Sequence, residues 1–313
     1  MIAFVVRRAL LVVPTVLVVA TCVFLLLRFA PGDPAVAILG DFATREAVEA
    51  LRAKMGLNQP LWRQYVDFIG RLAQGDLGSS LVTGAPVSAQ VARALPHTIA
   101  LTLAGMVIGL VGGLPLGILS ALRRNTLMDY LSRTISLAGL SVPGFYVGIL
   151  LMLLFGVHWK IFPVVGAGNP GDLGDVLRHL FLPALSLGLL MMAYVTRSAR
   201  SAMLNVLQED FLRTARAKGL AEVAVLSRHA LRNALVPTIS VVSVYVIVLI
   251  GSSVMTEIVF SRPGLGKLMV DATQRRDYTT IQSVMVVYAA IVAIVNAVVD
   301  VVYGFVDPRV RYD

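Results

Sequence analysis

Residues 98–122 read TIALTLAGMVIGLVGGLPLGILSAL, a run of 25 residues without a charged side chain. A helix needs about 20 mainly apolar residues to cross the hydrocarbon core of a bilayer. The run therefore predicts a membrane-spanning helix. Four glycines within it are spaced four residues apart, at Gly105, Gly109, Gly113 and Gly117. Residues at this spacing lie on nearly one face of a helix.

The glycine face predicts a close contact between two helices, because small residues let backbones approach each other within a membrane. Two partners fit this pattern, namely another helix of the same chain or a helix of a second subunit. A weaker version of the pattern follows Pro143, where Gly144 and Gly148 are four residues apart.

The whole chain has the composition of a membrane protein. Its 313 residues are 57% hydrophobic and 14% charged, with a mean hydropathy of +0.81, whereas soluble domains carry about 25% charged residues. We expect one transmembrane domain over residues 1–313, all-α, with six spans. The apolar runs that qualify are residues 9–29, 98–122, 135–157, 180–196, 234–256 and 281–304. The first run lacks a small-residue cleavage site, so we expect an uncleaved span and no signal peptide.

The distribution of charge predicts the orientation. Segments 1–8, 123–134, 197–233 and 305–313 together hold 14 basic and 6 acidic residues, whereas the loops on the other side hold 12 and 11. Lysine and arginine collect on the cytoplasmic side of membrane proteins, so both termini are expected in the cytoplasm. This orientation and anionic lipid account for the basic composition, and no nucleic-acid partner is expected.

The 30–97 loop is long enough to fold outside the membrane. A helix is expected from Thr44, its N-cap, to about Met55, and a second from about Leu61 to Leu72. Two interpretations are open: the loop covers a translocation path, or it is a surface element that only stabilises the fold.

No arrangement in the sequence predicts catalysis, metal binding or ATP binding. Residues 261–268 resemble a phosphate-binding loop but lack its first glycine and its final serine or threonine. The four histidines are dispersed, without the spacing of metal ligands. A proton-coupled carrier would need a carboxylate near the middle of the membrane, and the spans contain none there. A secondary carrier and a structural or sensory membrane protein are two functional classes that stay open at this point.

The 197–233 segment contains a short amphipathic helix. Leu207, Phe211 and Ala215 recur at four-residue spacing, and Gly219 is placed to end the helix. Such a helix fits a groove on a soluble partner, or it rests on the lipid surface. Both interpretations are open from the pattern alone.

Two stretches of this segment resemble the cytoplasmic coupling loop of ABC-importer permeases. They are RTARAKGL at 213–220 and RHALRNALVP at 228–237. The resemblance is to the first (B-type) permease of the dipeptide, oligopeptide and nickel importers and runs nearly end to end. Further matching motifs are APGDP at 30–34, GLNQP at 56–60, GDLGSS at 75–80, EIVF at 257–260, RPGLG at 262–266 and DPR at 307–309. The wider superfamily has EAA where this chain has Arg213, Thr214 and Ala215, which puts in doubt any salt bridge made by the missing glutamate.

The resemblance implies a type I ABC-importer permease fold in the bacterial inner membrane, working by alternating access. It implies a second homologous permease, two cytoplasmic ABC ATPases that bind ATP and magnesium, and an extracytoplasmic substrate-binding protein. This chain itself is expected to hold no cofactor, and peptides are the expected cargo. The implied ATPase contacts are Phe211, Arg213, Thr214, Ala215, Arg216, Lys218 and Gly219. The residues implied at the outer mouth are Glu257, Phe260, Pro263, Gly264 and Gly266.

Overall fold

The computed structural model describes residues 2–29, 34–39 and 43–306, most of which are helical. Two of the motifs fall partly or wholly outside the described residues, namely residues 30–33 of APGDP and all of DPR at 307–309. The α-helices are α1 (Ile2–Phe29), α2 (Pro34–Leu39), α3 (Arg45–Lys54), α4 (Leu61–Ala73), α5 (Val87–Leu122), α6 (Leu127–Ser141), α7 (Gly144–Leu151), α8 (Leu173–Leu207), α9 (Asp210–Ala217), α10 (Glu222–Ala224), α11 (Leu231–Val259), α12 (Leu265–Gln274) and α13 (Tyr278–Val306). Two π-helical segments follow α7 and α10, at Met152–His158 and Val225–Ala230.

Within the described residues, five helical stretches are long and apolar enough to cross a membrane, and a bent pair of helices is the sixth candidate. Each predicted span overlaps one of these six. The span predicted over 135–157 corresponds to the bent pair, in which α6 and α7 are separated by a bend of 102°. A residue before proline avoids the helical conformation, and Val142, before Pro143, is extended at φ −106°, ψ 126°.

The helices predicted between the first two spans are present. Helix α3 begins after Thr44, whose side chain accepts a hydrogen bond from the amide of Ala47. Gly56 follows this helix with φ +68°, a conformation that glycine adopts without the steric cost of a Cβ atom. Helix α4 covers the second predicted range.

Contacts divide the chain into two compact units, and each has its own core. The first unit comprises residues 1–97 and 263–297. In it, Val87 and Val91 of α5 pack with Leu265 of α12 and Val284 of α13. A second cluster joins α1, α4 and α13 through Ala20, Phe24, Phe68 and Val286.

The second unit comprises residues 98–262 and 298–313. Its centre is the contact between α5 and α8, and α8 is faced by Gly105, Gly109, Gly113 and Gly117 of α5. A Cβ atom added to Gly117 would lie 2.6 Å from the carbonyl oxygen of Thr196, closer than real Cβ atoms come. The hydroxyl of Thr196 donates to the carbonyl of Gly113 at 3.3 Å. Another helix of this chain therefore covers the glycine face.

Candidate functional site

The candidate site is the surface around α9, within the 197–233 segment. Helix α9 ends at Ala217, and Gly219 follows with φ +76°. The amide of Gly219 donates to the carbonyl of Arg216 at 2.9 Å, and the amide of Leu220 donates to that of Ala215 at 3.4 Å. These two bonds form a Schellman motif, the common glycine-dependent helix end. The prediction that Gly219 ends the helix is confirmed.

The buried face of α9 joins the core of its own unit. Leu212 is fully buried, and Ala215 is only 7% exposed. Both pack in a cluster that includes Ala121 of α5, Met203 of α8 and Val225. The cluster fixes α9 to the end of α8.

The expected apolar stripe of Leu207, Phe211 and Ala215 does not form one exposed surface. Leu207 is the last residue of α8 and packs against the core cluster. Ala215 faces that cluster too. The face of α9 that carries Leu212 and Ala215 packs against apolar side chains of this chain itself. Phe211 is 41% exposed and is the aromatic side chain that α9 presents outward. Leu212 was missed from the sequence, although its i, i+3 relation to Ala215 marks the buried face.

The other residues implied at the ATPase contact lie on the exposed side of α9 and its end. They are Arg213, Thr214, Arg216, Lys218 and Gly219. Arg213 pairs with Asp210 at 3.3 Å. Arg216 binds Glu222 through two hydrogen bonds, of 2.9 and 3.1 Å, across the turn made by Gly219. The hydrogen bonds that Arg216 donates to the carboxylate of Glu222 raise the pKa of Arg216. The surface around Phe211 therefore combines an exposed aromatic ring with arginines that are paired with acidic side chains, which suits an apolar groove with a polar rim on a partner.

A π-helical segment, Val225–Ala230, lies between α10 and α11. Val225 and Ala230 are fully buried in the same cluster as Leu212. The wider π turn places both of them in that cluster. Such segments occur often at functional sites.

A buried carboxylate holds the part of α8 that leads to α9. Asp129 of α6 accepts hydrogen bonds from Nε and Nη2 of Arg200, at 2.7 and 2.9 Å, and from the hydroxyl of Ser120 at 2.6 Å. Asp129 is fully buried, and its partners connect α5, α6 and α8. The sequence does not predict this connection, because Arg200 lies 71 residues from Asp129 in the chain.

The residues implied at the outer mouth divide between the two units, and most are buried. In the second unit, Glu257 accepts a hydrogen bond from the hydroxyl of Thr98 at 2.6 Å. Phe260 packs on Gly148 and accepts a hydrogen bond from the amide of Gly166 at 2.9 Å. In the first unit, Gly264 and Gly266 are buried at the start of α12, and Pro263 is exposed. Packing explains these contacts, and a gating role stays a prediction.

The described residues contain no group of three or more histidine, cysteine, aspartate or glutamate side chains placed to bind a metal ion.

Comparison with known families identifies the chain. Residues 113–312 match the family described as "Binding-protein-dependent transport system inner membrane component", and residues 1–102 match the corresponding N-terminal family. The chain belongs to this permease family. The permease is also similar over its full length to named transport proteins. It is 41% identical to the di/tripeptide transport system permease protein DppB of Pseudomonas aeruginosa, covering 100% of this chain and 99% of that protein.

Other relatives carry related names. The permease is 39% identical to the glutathione transport system permease protein GsiC of Escherichia coli, with 100% of both chains covered. It is 36% identical to the dipeptide transport system permease protein DppB of Escherichia coli K12, with 100% and 99% covered. Among solved structures, it resembles the inward-facing MetNI methionine ABC transporter with a TM-score of 0.58 at 20% identity, covering 70% of this chain and 96% of that one. This likeness shows that the fold is that of type I importer permeases.

Proposed function

We propose that this permease is the membrane subunit of an ATP-driven importer of peptides. The observation that carries the proposal is full-length similarity to permeases named for di- and tripeptides, dipeptides and glutathione, which is itself a tripeptide. The structure supports the transport role through α9, a short helix that packs on the end of α8 and exposes the aromatic ring of Phe211.

The proposed complex contains four further subunits. A second, homologous permease would complete the translocation path, and an extracytoplasmic binding protein would deliver the peptide. Two cytoplasmic ABC ATPases would bind ATP and magnesium and dock on α9. The proposed orientation, with both termini in the cytoplasm, places α9 on the side of the ATPases and agrees with the charge distribution.

The proposed coupling follows from the packing of α9. Leu212 and Ala215 share a cluster with Met203 of α8 and Ala121 of α5. A close-packed cluster transmits displacement because its members have no free volume to absorb it. ATPase closure would therefore move α9 together with the ends of α8 and α5, and this movement would open the path outward.

The experiment is uptake of a labelled dipeptide by the complete complex in proteoliposomes. We expect uptake to require ATP inside the vesicles and to continue after the proton gradient is collapsed. The matched control is a complex whose ATPases bind ATP but do not hydrolyse it. Uptake that stops with the gradient and continues without ATP would indicate a secondary carrier. Absence of ATP-dependent uptake for every peptide, with the whole complex assembled, would contradict the proposed function.

A further inference from the structure

A cationic cavity lies between α5, α6 and α8 and has a volume of about 360 Å³. Three guanidinium groups and five hydroxyl groups line it. The arginines are Arg133, Arg197 and Arg200, and the hydroxyl groups belong to Ser120, Ser132, Ser136, Thr196 and Ser201. Asp129, buried beside the cavity, binds Arg200 directly and lies 3.8 Å from Nε of Arg133. One carboxylate against three arginines leaves an excess of two positive charges at this cavity.

An apolar cavity of about 320 Å³ adjoins the cationic one between α6, α7 and α8. The two share Ser132, Ser136 and Thr196 as lining residues. Apart from these and Ser186, the side chains of the apolar cavity are aliphatic, with Ile135 and Leu190 among them. The two cavities are therefore adjacent, and together they offer a cationic end and an apolar body.

We propose that this site binds one anionic phospholipid, with its phosphate at Arg133 and Arg197 and one acyl chain in the apolar cavity. Guanidinium groups bind phosphate oxygens in a forked geometry, and basic pockets between membrane helices bind anionic headgroups. Arg133 and Arg197 lie just outside the apolar runs 135–157 and 180–196, at the level where headgroups begin.

The apolar cavity distinguishes a lipid from a peptide. A peptide backbone in it would have few hydrogen-bond partners, and unsatisfied amides in an apolar environment are costly. An acyl chain has no such requirement. The inference concerns a structural ligand of the membrane helices and does not depend on the cargo in the proposed function.

The first test measures lipid retention by native mass spectrometry of the complete importer, purified with equal amounts of phosphatidylglycerol and phosphatidylethanolamine. The variant is Arg133→Gln with Arg197→Gln, which leaves the pair of Asp129 and Arg200 intact. The matched control is Arg123→Gln with Arg124→Gln, exposed residues that line neither cavity. We expect retained phosphatidylglycerol to fall by about fivefold for each cavity arginine removed, with no change in phosphatidylethanolamine or in the control.

The second test fills the apolar cavity without changing charge. Ala138 lines it from an exposed position on α6, so Ala138→Phe occupies acyl-chain space at little risk to the fold. Val111→Phe, on the exposed side of α5, is the matched control. Phosphatidylglycerol retention should fall in Ala138→Phe alone.

Three results would overturn the assignment. The first is unchanged phosphatidylglycerol retention in the double arginine variant, and the second is an equal loss of both lipids. The third is unchanged retention together with a selective loss of uptake, in which a peptide with a free C-terminal carboxylate is affected more than the same peptide with a C-terminal amide. The last would assign the cavity to the cargo. Because lipid retention is measured without transport, failure of the proposed function would not change the outcome.

Discussion

At Gly219 the backbone conformation, and not the surrounding space, restricts the residue. The φ angle is +76°, and a Cβ atom added there would meet nothing within 4 Å. A β-branched side chain is strained in this left-handed region, at a cost of about 1–3 kcal/mol. Asparagine tolerates the region much better. The position therefore offers a pair of variants that differ in backbone strain and not in crowding.

We expect Gly219→Val to leave the protein inserted and expressed but to reduce both peptide uptake and retention of the ATPases, because the turn that positions α9 is strained. Gly219→Asn should keep most of the peptide uptake and most of the ATPase retention. Uptake and ATPase co-purification are measured in one membrane preparation. Equal behaviour of the two variants would show that the turn does not control docking.

Phe211 is the residue that tests docking itself. Ala215→Arg, which the sequence pattern would favour as a test, would instead place a charge in the chain's own core, so its main effect should be misfolding. Phe211→Ala removes only an exposed ring. If the ring enters an ATPase groove, its loss should weaken ATPase binding by about 2 kcal/mol, or roughly thirtyfold.

The matched control for Phe211→Ala is Val223→Ala, because Val223 is 78% exposed on the adjacent segment. The binding of purified ATPases to permease in nanodiscs gives the affinity of each variant. Normal affinity of Phe211→Ala would place the docking contact elsewhere on the 197–233 segment.

At the scale of elements, the close contact of α5 and α8 depends on the missing side chains of α5. In Gly117→Ala, the new methyl group would approach the carbonyl oxygen of Thr196 and Cβ of Ala199 at 2.6 and 2.8 Å. Backbone cannot move aside as a flexible side chain does, so overpacking should cost about 1–3 kcal/mol. The loss should appear in this subunit's own stability, because the contact lies within the chain.

The expected measurement for Gly117→Ala is a lower midpoint of thermal denaturation for the purified complex. Gly251→Ala is the control, since a Cβ atom at Gly251 of α11 meets nothing within 4 Å. An unchanged midpoint in Gly117→Ala would mean that α5 and α8 separate readily.

Local patterns predicted the elements well, and contacts between elements account for the differences. The cap at Thr44 and the stop at Gly219 depend on neighbouring residues, so the sequence contained the information. The burial of Ala215 depends on residues of α5 and α8 that are distant in the chain. The partners of Asp129 have the same origin. The bend has a local signal, because Pro143 keeps the preceding residue, Val142, out of the helical conformation. The long apolar run around Pro143 nevertheless favoured the prediction of a single span.

At the scale of the whole molecule, the charge distribution predicts how the chain is oriented in the membrane. The positive-inside rule assigns the loops at the two ends of each span to the cytoplasmic or the opposite side of the membrane. Reporter fusions at Asn125 and Asp210 should therefore report the cytoplasm, and fusions at Asp67, Gly168 and Lys267 the other side. A cytoplasmic signal from Asp67 would contradict the six-span arrangement and the position of the 30–97 loop.

Helix α8 also has the properties of a lever. Its 35 residues correspond to a rod about 52 Å long at about 1.5 Å per residue. A tilt of only about 5° around one end of such a rod displaces the other end by about 4.5 Å. Asp129 binds it near the end that adjoins α9, and an N-cap at Asp172 fixes where it begins. A small rotation at the end beside α9 would thus become a movement of about 4.5 Å at the opposite end.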